Sequence, residues 1–172
     1  MRIRIVSELD DEEALSRIAE ALGEVYGEEV EISITQDLID ERFLNPSRRQ
    51  YDAWRIVQHY RGILKDDEYA LLVTDKDVYA AGLNFVFGLA WRGVAIISTH
   101  RLRQEFYGGS PDRKLFLERI VKEAVHEIGH LHGLTHCGNK GCVMAFSNSI
   151  LDTDRKSYLP CEKCLAKLRL HP

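Results

Sequence analysis

A chain of 172 residues, 45% apolar and 29% charged, carries enough material for one compact domain with a sizeable core. A net charge of −4 lacks the basic surplus that phosphate binders use, so nucleic acid is not an expected partner. No window approaches the roughly 20 apolar residues of a membrane span, and the short apolar start turns acidic too early for a secretory signal. The expectation is a cytoplasmic protein, monomeric, without a membrane partner.

Ile3 to Val6 opens a sheet. Asp10 or Asp11 caps a helix through about Leu22, which Gly23 ends. Val30 to Ile34 alternates apolar and polar residues, the pattern of a strand with one buried face. Ser47 caps a second helix to about Leu64, with Trp54, Ile56, Val57, Tyr60 and Leu64 as its apolar side. Tyr69 to Val73 is a third strand. Phe85 to Ala90 and Val94 to Ser98 are two more, and the short link Trp91-Arg92-Gly93 makes them an antiparallel hairpin. Two strand–helix–strand units followed by a hairpin predict an α+β fold of α/β-like character: a mixed twisted sheet backed by helices. Ser110 and Pro111 then start a long helix to about His132, stopped at Gly133. The stretch from Cys137 to Ser149 reads as loop, and a short helix over residues 161–171 follows Pro160.

The long helix carries the chemistry. At about 100° per residue, Leu117, Ile120, Val121, Ala124, Ile128 and Leu131 form one stripe, which should pack on the sheet. His126 and His130 point away from that stripe, one turn apart, so two imidazoles can reach one ion. The run His126-Glu127-Ile128-Gly129-His130-Leu131-His132-Gly133-Leu134-Thr135-His136 matches H-E-x-x-H-x-x-G-x-x-H at every fixed position. Gly133 permits a sharp turn that returns His136 as a third ligand. Three protein ligands leave a fourth position for water, and Glu127 is placed to take a proton from it. All four cysteines, Cys137, Cys142, Cys161 and Cys164, lie in the last quarter of the chain. Two close pairs beside a histidine motif point to a metal site, with disulfides as the other reading.

The extended histidine motif resembles that of the metzincin metallopeptidases. The run Cys137-x4-Cys142-x-Met144 and the later Cys161-x-x-Cys164 narrow the resemblance to the archaemetzincins. That resemblance implies two Zn2+ ions per chain: a catalytic zinc on His126, His130 and His136, and a structural zinc on the four cysteines. It also makes Met144 the Met-turn residue beneath the histidines. It implies one metzincin-like catalytic domain over 1–172, with sheet, backing helices and active-site helix to about 132 and a zinc-bound C-terminal segment over 133–172. Two departures matter. Phe146 occupies a position where some metzincins place a tyrosine that reaches the metal, and no cysteine precedes the motif, so a cysteine-switch prosegment is not expected.

Other residues carry less. His132 falls on the helix flank and reads as a C-terminal helix residue. His100 reads as structural or as a substrate contact, and His59 and His171 have no evident partner. Phe85 to Ala90 is either an ordinary core strand or the edge along which a peptide adds as an extra strand, with Gly88 suited to close approach. Tyr107 and Tyr158 are candidates for an oxyanion contact. The expected function is a zinc-dependent peptidase, aminopeptidase or endopeptidase, acting on peptides. A silent zinc-stabilised peptide-binding module and a zinc hydrolase of non-peptide amides are the alternatives.

Overall fold

A computed structural model describes residues 1–170. In chain order the elements are β1 (Arg2–Ser7), α1 (Glu12–Tyr26), β2 (Glu29–Ile34), β3 (Leu44–Asn45), β4 (Gln50–Asp52), α2 (Ala53–Arg61), β5 (Glu68–Thr74) and β6 (Val78–Tyr79). They continue with β7 (Gly88–Trp91), β8 (Val94–Ser98), α3 (Arg113–Leu131), α4 (Ile150–Arg155) and α5 (Glu162–Leu170). His171, expected at the end of the last helix, lies outside the described residues.

Five strands form the main sheet in the order β2-β1-β5-β8-β7. All neighbours are parallel except β7, which runs antiparallel to β8, so the sheet is mixed as expected. The strand period of two divides the core. Ile3, Ile5, Leu71, Val73, Ala95 and Ile97 face α1 and α3, while Val6, Ala70, Leu72, Val94 and Ile96 face α2. The central strands are apolar on both faces because both faces are covered. At the hairpin, Arg92 (φ 44°) and Gly93 (φ 85°) are the two residues of a tight turn whose twist matches its strands.

Several boundaries depart from expectation, each for a physical reason. Asp11 does cap α1, accepting from the Ala14 amide at 3.1 Å, but the helix continues through Gly23 to Tyr26 and stops at Gly27, whose φ is 68°. A mid-helix glycine costs only about 1 kcal/mol, and the extra turn packs Val25 and Tyr26 against the core. Ser47 does not cap α2. Residues 44–52 are taken up by a small second sheet, β3-β4-β6, and Asp52 caps the helix instead through the Arg55 amide at 3.3 Å. Asp112, not Ser110, caps α3, through the Leu115 amide at 3.1 Å. The strand β2 has no well-buried face because it is a sheet edge. Its Glu29 and Glu31 pair with Arg2, charges that discourage edge-to-edge pairing. The helix α4 had no counterpart in the sequence reading.

Candidate metal centre and cleft

The stripe on α3 packs as expected: Leu117, Ile120, Ala124 and Ile128 are buried against the sheet, with Val121 and Leu131 at the margin. The opposite side of the helix is buried too. His126 is 5% exposed, His130 half-buried and His136 exposed. After Leu131 the helix unwinds at Gly133, whose φ of 90° only glycine adopts without strain. Gly133 donates to the His130 carbonyl at 3.0 Å and Leu134 to the Gly129 carbonyl at 3.0 Å. That turn returns His136 to the two helix histidines, with ring centroids 5.5 Å from His126 and 4.9 Å from His130.

Hydrogen bonds settle which nitrogens are bare. His126 Nδ1 lies 2.7 Å from the Val143 carbonyl, and His130 Nδ1 lies 2.8 Å from the Leu134 carbonyl. A carbonyl can only accept, so both Nδ1 atoms carry the proton and both Nε2 atoms present lone pairs. Those two Nε2 atoms face each other at 3.1 Å. Two lone pairs at that distance repel unless a cation lies between them. Tetrahedral zinc with ligands at about 2.05 Å places neighbouring nitrogens roughly 3.3 Å apart, so the donor set fits that ion. Burial holds His126 well below its ordinary 6.5, helped by the charge of Lys156, and burial also lowers His130 and His136. Neutral imidazoles are the form that binds a metal.

Glu127 sits beside this trio, 5% exposed, with burial holding its carboxyl well above the usual range; Glu123 adds to that rise and Lys156 opposes it. A carboxylate that accepts a proton readily suits general-base work. Gly88 of β7 is what lets it sit there. A Cβ on Gly88 would fall 2.8 Å from Glu127 Cγ and Oε1 and 2.7 Å from the Ile96 carbonyl oxygen. Met144 is fully buried beneath the helix, its Sδ only 2.5 Å from where a Cβ on Gly129 would stand. Its neighbour Val143 supplies the carbonyl that orients His126.

The four cysteine sulfurs lie within 4.8 Å of one another, with Cys137 to Cys161 and Cys142 to Cys164 each at 3.8 Å. These are not disulfides, which need about 2.05 Å. Zinc–sulfur bonds of about 2.3 Å in a tetrahedron give sulfur–sulfur edges of roughly 3.8 Å, so this donor set also fits zinc. Backbone amides of Asn139, Met144 and Cys161 donate to Cys137 or Cys142 sulfur, which favours the thiolate, while burial pushes the Cys142 and Cys164 thiols up in the absence of a metal. The Cys161 thiol is pulled down to about 7, first by a backbone contact at Cys164. The Cys137 amide donates to the Met144 carbonyl at 2.9 Å, tying the cluster to the segment below the histidines.

A cavity of about 530 Å³ opens over the histidines, between α3 and the edge strand β7. Phe85 to Ala90 and Phe146 line it, whereas His132, His100, His59, Tyr107 and Tyr158 do not. His132 caps α3, bonded to Glu28 at 2.9 Å and stacked on Tyr26. His100 packs on Phe106, and His59 pairs with Arg42. Tyr107 donates to the Arg101 carbonyl and Tyr158 to Glu24, so both hydroxyls are spent outside the cavity. The sequence reading missed Glu123 and Lys156, both of which line it. Glu123 could have been found, because it precedes Glu127 by one helical turn. Lys156 carries no local signal.

An edge strand, a buried carboxylate and a three-histidine metal pocket in one cleft define the class of metal-dependent peptidases with an H-E-x-x-H helix. Residues 16–170 match the family described as Peptidase family M54. An archaemetzincin of Pyrococcus abyssi is 57% identical over 125 residues, covering 70% of this chain and 66% of that protein, just under two thirds of its length. The crystal structure of an archaemetzincin from Methanopyrus kandleri superposes with a TM-score of 0.86 at 36% identity, covering 99% of this chain and 94% of that one. A structure described as a zinc-dependent peptidase from Methanocorpusculum labreanum gives a TM-score of 0.86 at 34% identity, covering 96% and 99%. The chain belongs to peptidase family M54, the archaemetzincins.

Proposed function

We propose that this chain cleaves peptide bonds at a zinc ion held by His126, His130 and His136, with Glu127 as general base. The observation that carries the reading is the pair of proton-free Nε2 atoms facing each other beside a buried carboxylate. A zinc ion held there would supply Lewis acidity toward the scissile carbonyl and an attacking water. Glu127 takes the proton of that water and passes it to the departing amine. The outer edge of β7 offers unpaired backbone groups to an extended peptide, which lays the scissile bond across Glu127. Met144 supports the histidines from below, and Cys137, Cys142, Cys161 and Cys164 hold a second, closed zinc that pins the C-terminal segment. On this reading the whole chain is one catalytic domain, monomeric and cytoplasmic, with peptides and not nucleic acid as its partners.

The test combines a metal count with a peptide-library digest of the wild type and Glu127→Ala. The expected result is two zincs per chain in both proteins, with cleavage reduced roughly 10²- to 10⁴-fold in the variant. The positions of the cuts read whether ends are trimmed or internal bonds opened. Undiminished cleavage by Glu127→Ala would remove its role as base, and zinc uptake without cleavage of any peptide would remove the peptidase reading.

A further inference from the structure

The cavity is polarised in a way that water activation does not require. On the side of β7 and the loop before it, its wall is mostly apolar, with Leu83, Phe85, Val86, Phe87 and Leu89 and the single polar residue Asn84. On the opposite side, Glu123, Ser147 and Lys156 line it. Glu123 is 3% exposed and Lys156 2%. Removing two ions from water is expensive, and the influence of their charges on Glu127 and His126 leaves the unspent hydrogen bonds of the pair unaccounted for.

The pair is incompletely satisfied. The Lys156 ammonium donates to the Ala145 carbonyl at 3.2 Å and stands 3.8 Å from Glu123 Oε1, too far for a hydrogen bond. Its other two protons have no hydrogen-bond acceptor among the described residues. Glu123 Oε1 is already engaged by the Thr153 hydroxyl at 3.0 Å. Ser147 follows Ala145 by two residues, and its Oγ is buried with no hydrogen-bond partner among the described residues. The wall of the cavity therefore carries an ammonium and a hydroxyl, both with hydrogen-bonding capacity unspent.

We propose that Lys156 and Ser147 form a specificity subsite for a substrate side chain beside the cleaved bond, and that it selects an uncharged side chain bearing an oxygen acceptor, a carboxamide or a hydroxyl. The chemistry follows from the balance of charge. A side-chain oxygen gains a charge-assisted bond from Lys156 and a second from Ser147. A carboxylate there would meet the repulsion of Glu123, and an ammonium that of Lys156. A plain aliphatic side chain would bury both donors unpaired, and sites built to bond a polar group reject analogues that lack it. The inference rests on the histidine trio being the metal site, because that fixes where the bound peptide lies.

Peptide hydroxamates test this without relying on turnover, since the hydroxamate holds the metal while one varied side chain projects beside it. Dissociation constants are measured on the zinc-loaded full chain for glutamine, leucine, glutamate and lysine side chains, with zinc content determined alongside. The glutamine compound should bind roughly tenfold or more tightly than the leucine compound. That ratio should fall toward one in Lys156→Met and decrease in Ser147→Ala. Ser147 is only half-buried as a residue, so its variant keeps the test sound should Lys156→Met fold poorly. Leucine equal to or tighter than glutamine in the wild type overturns the proposal, as does an unchanged ratio in Ser147→Ala. Tightest binding by glutamate or lysine overturns the choice of an uncharged group. Absence of peptide cleavage with the glutamine preference intact would remove the peptidase reading and leave the subsite standing. Absence of zinc at the histidines would overturn both.

Discussion

At the scale of single residues, the site depends on places where a side chain is missing. Gly129 leaves room for Met144 and the Tyr26 hydroxyl, which a Cβ would approach to 2.5 and 2.9 Å. Gly129→Ala should cost about 1–3 kcal/mol, as overpacked cores do, and should weaken zinc binding by moving Met144. Urea unfolding and a zinc titration measure the two effects. Gly88→Ala intrudes on Glu127 and on the β7–β8 pairing. Its cleavage rate should fall by a larger factor than its folding constant, which side-by-side kinetics and unfolding read. The histidines also set a pH dependence. Burial lowers all three below 6.5 in the metal-free fold, so the unfolded chain binds more protons than the folded one as pH falls through that value. Stability of the metal-free protein should be fully present well above pH 6.5 and decline below it. Urea midpoints at pH 8 and pH 5.5 check this, and equal midpoints would contradict it.

At the scale of elements, α3 is oriented by what covers it from both sides. The sheet holds its apolar stripe, while α4 is strapped across its first half. Arg119 of α3 is 3% exposed and makes a paired contact with Asp154 of α4, 2.8 Å at each oxygen, while also donating to the Leu102 carbonyl and Gln104. Lys122 reaches the Thr153 and Asp154 carbonyls at the end of α4. Because Lys156 follows α4 directly, the strap places the ammonium beside Glu123. Asp154→Ala leaves a buried guanidinium short of its partner and should cost about 3 kcal/mol. Cleavage should also fall although no residue at the metal has changed, and stability and activity measured together test both parts. None of this was visible in the chain order. The short α4 has too few residues for a periodic signal, and its anchors lie some thirty residues upstream in α3.

At the scale of the whole molecule, the segment after Gly133 has little core of its own, and metal at the two proposed positions would stabilise it. Residues after Gly133 contribute Val143, Met144, Cys142 and Cys164 to the main core, yet only two short helices. Cys161→Ser should remove one of the two zincs and lower the melting temperature by roughly 10 °C, about 3 kcal/mol at this chain length. Metal analysis and calorimetry read this, and full zinc content with unchanged melting would refute the four-cysteine site. What the sequence by itself determined is what local spacing encodes. Four residues make one helical turn, so His126 and His130 share a face in any helix that forms. A glycine three residues later permits the turn that returns His136, and a strand–helix–strand rhythm yields a mixed sheet. What only the tertiary structure decided is what distant segments do to one another. The Val143 carbonyl assigns the proton on His126, Gly88 lets β7 approach Glu127, and Lys156 is carried by α4 into the wall of the cleft. Those contacts cross long stretches of chain and arise from burial, which no local pattern records.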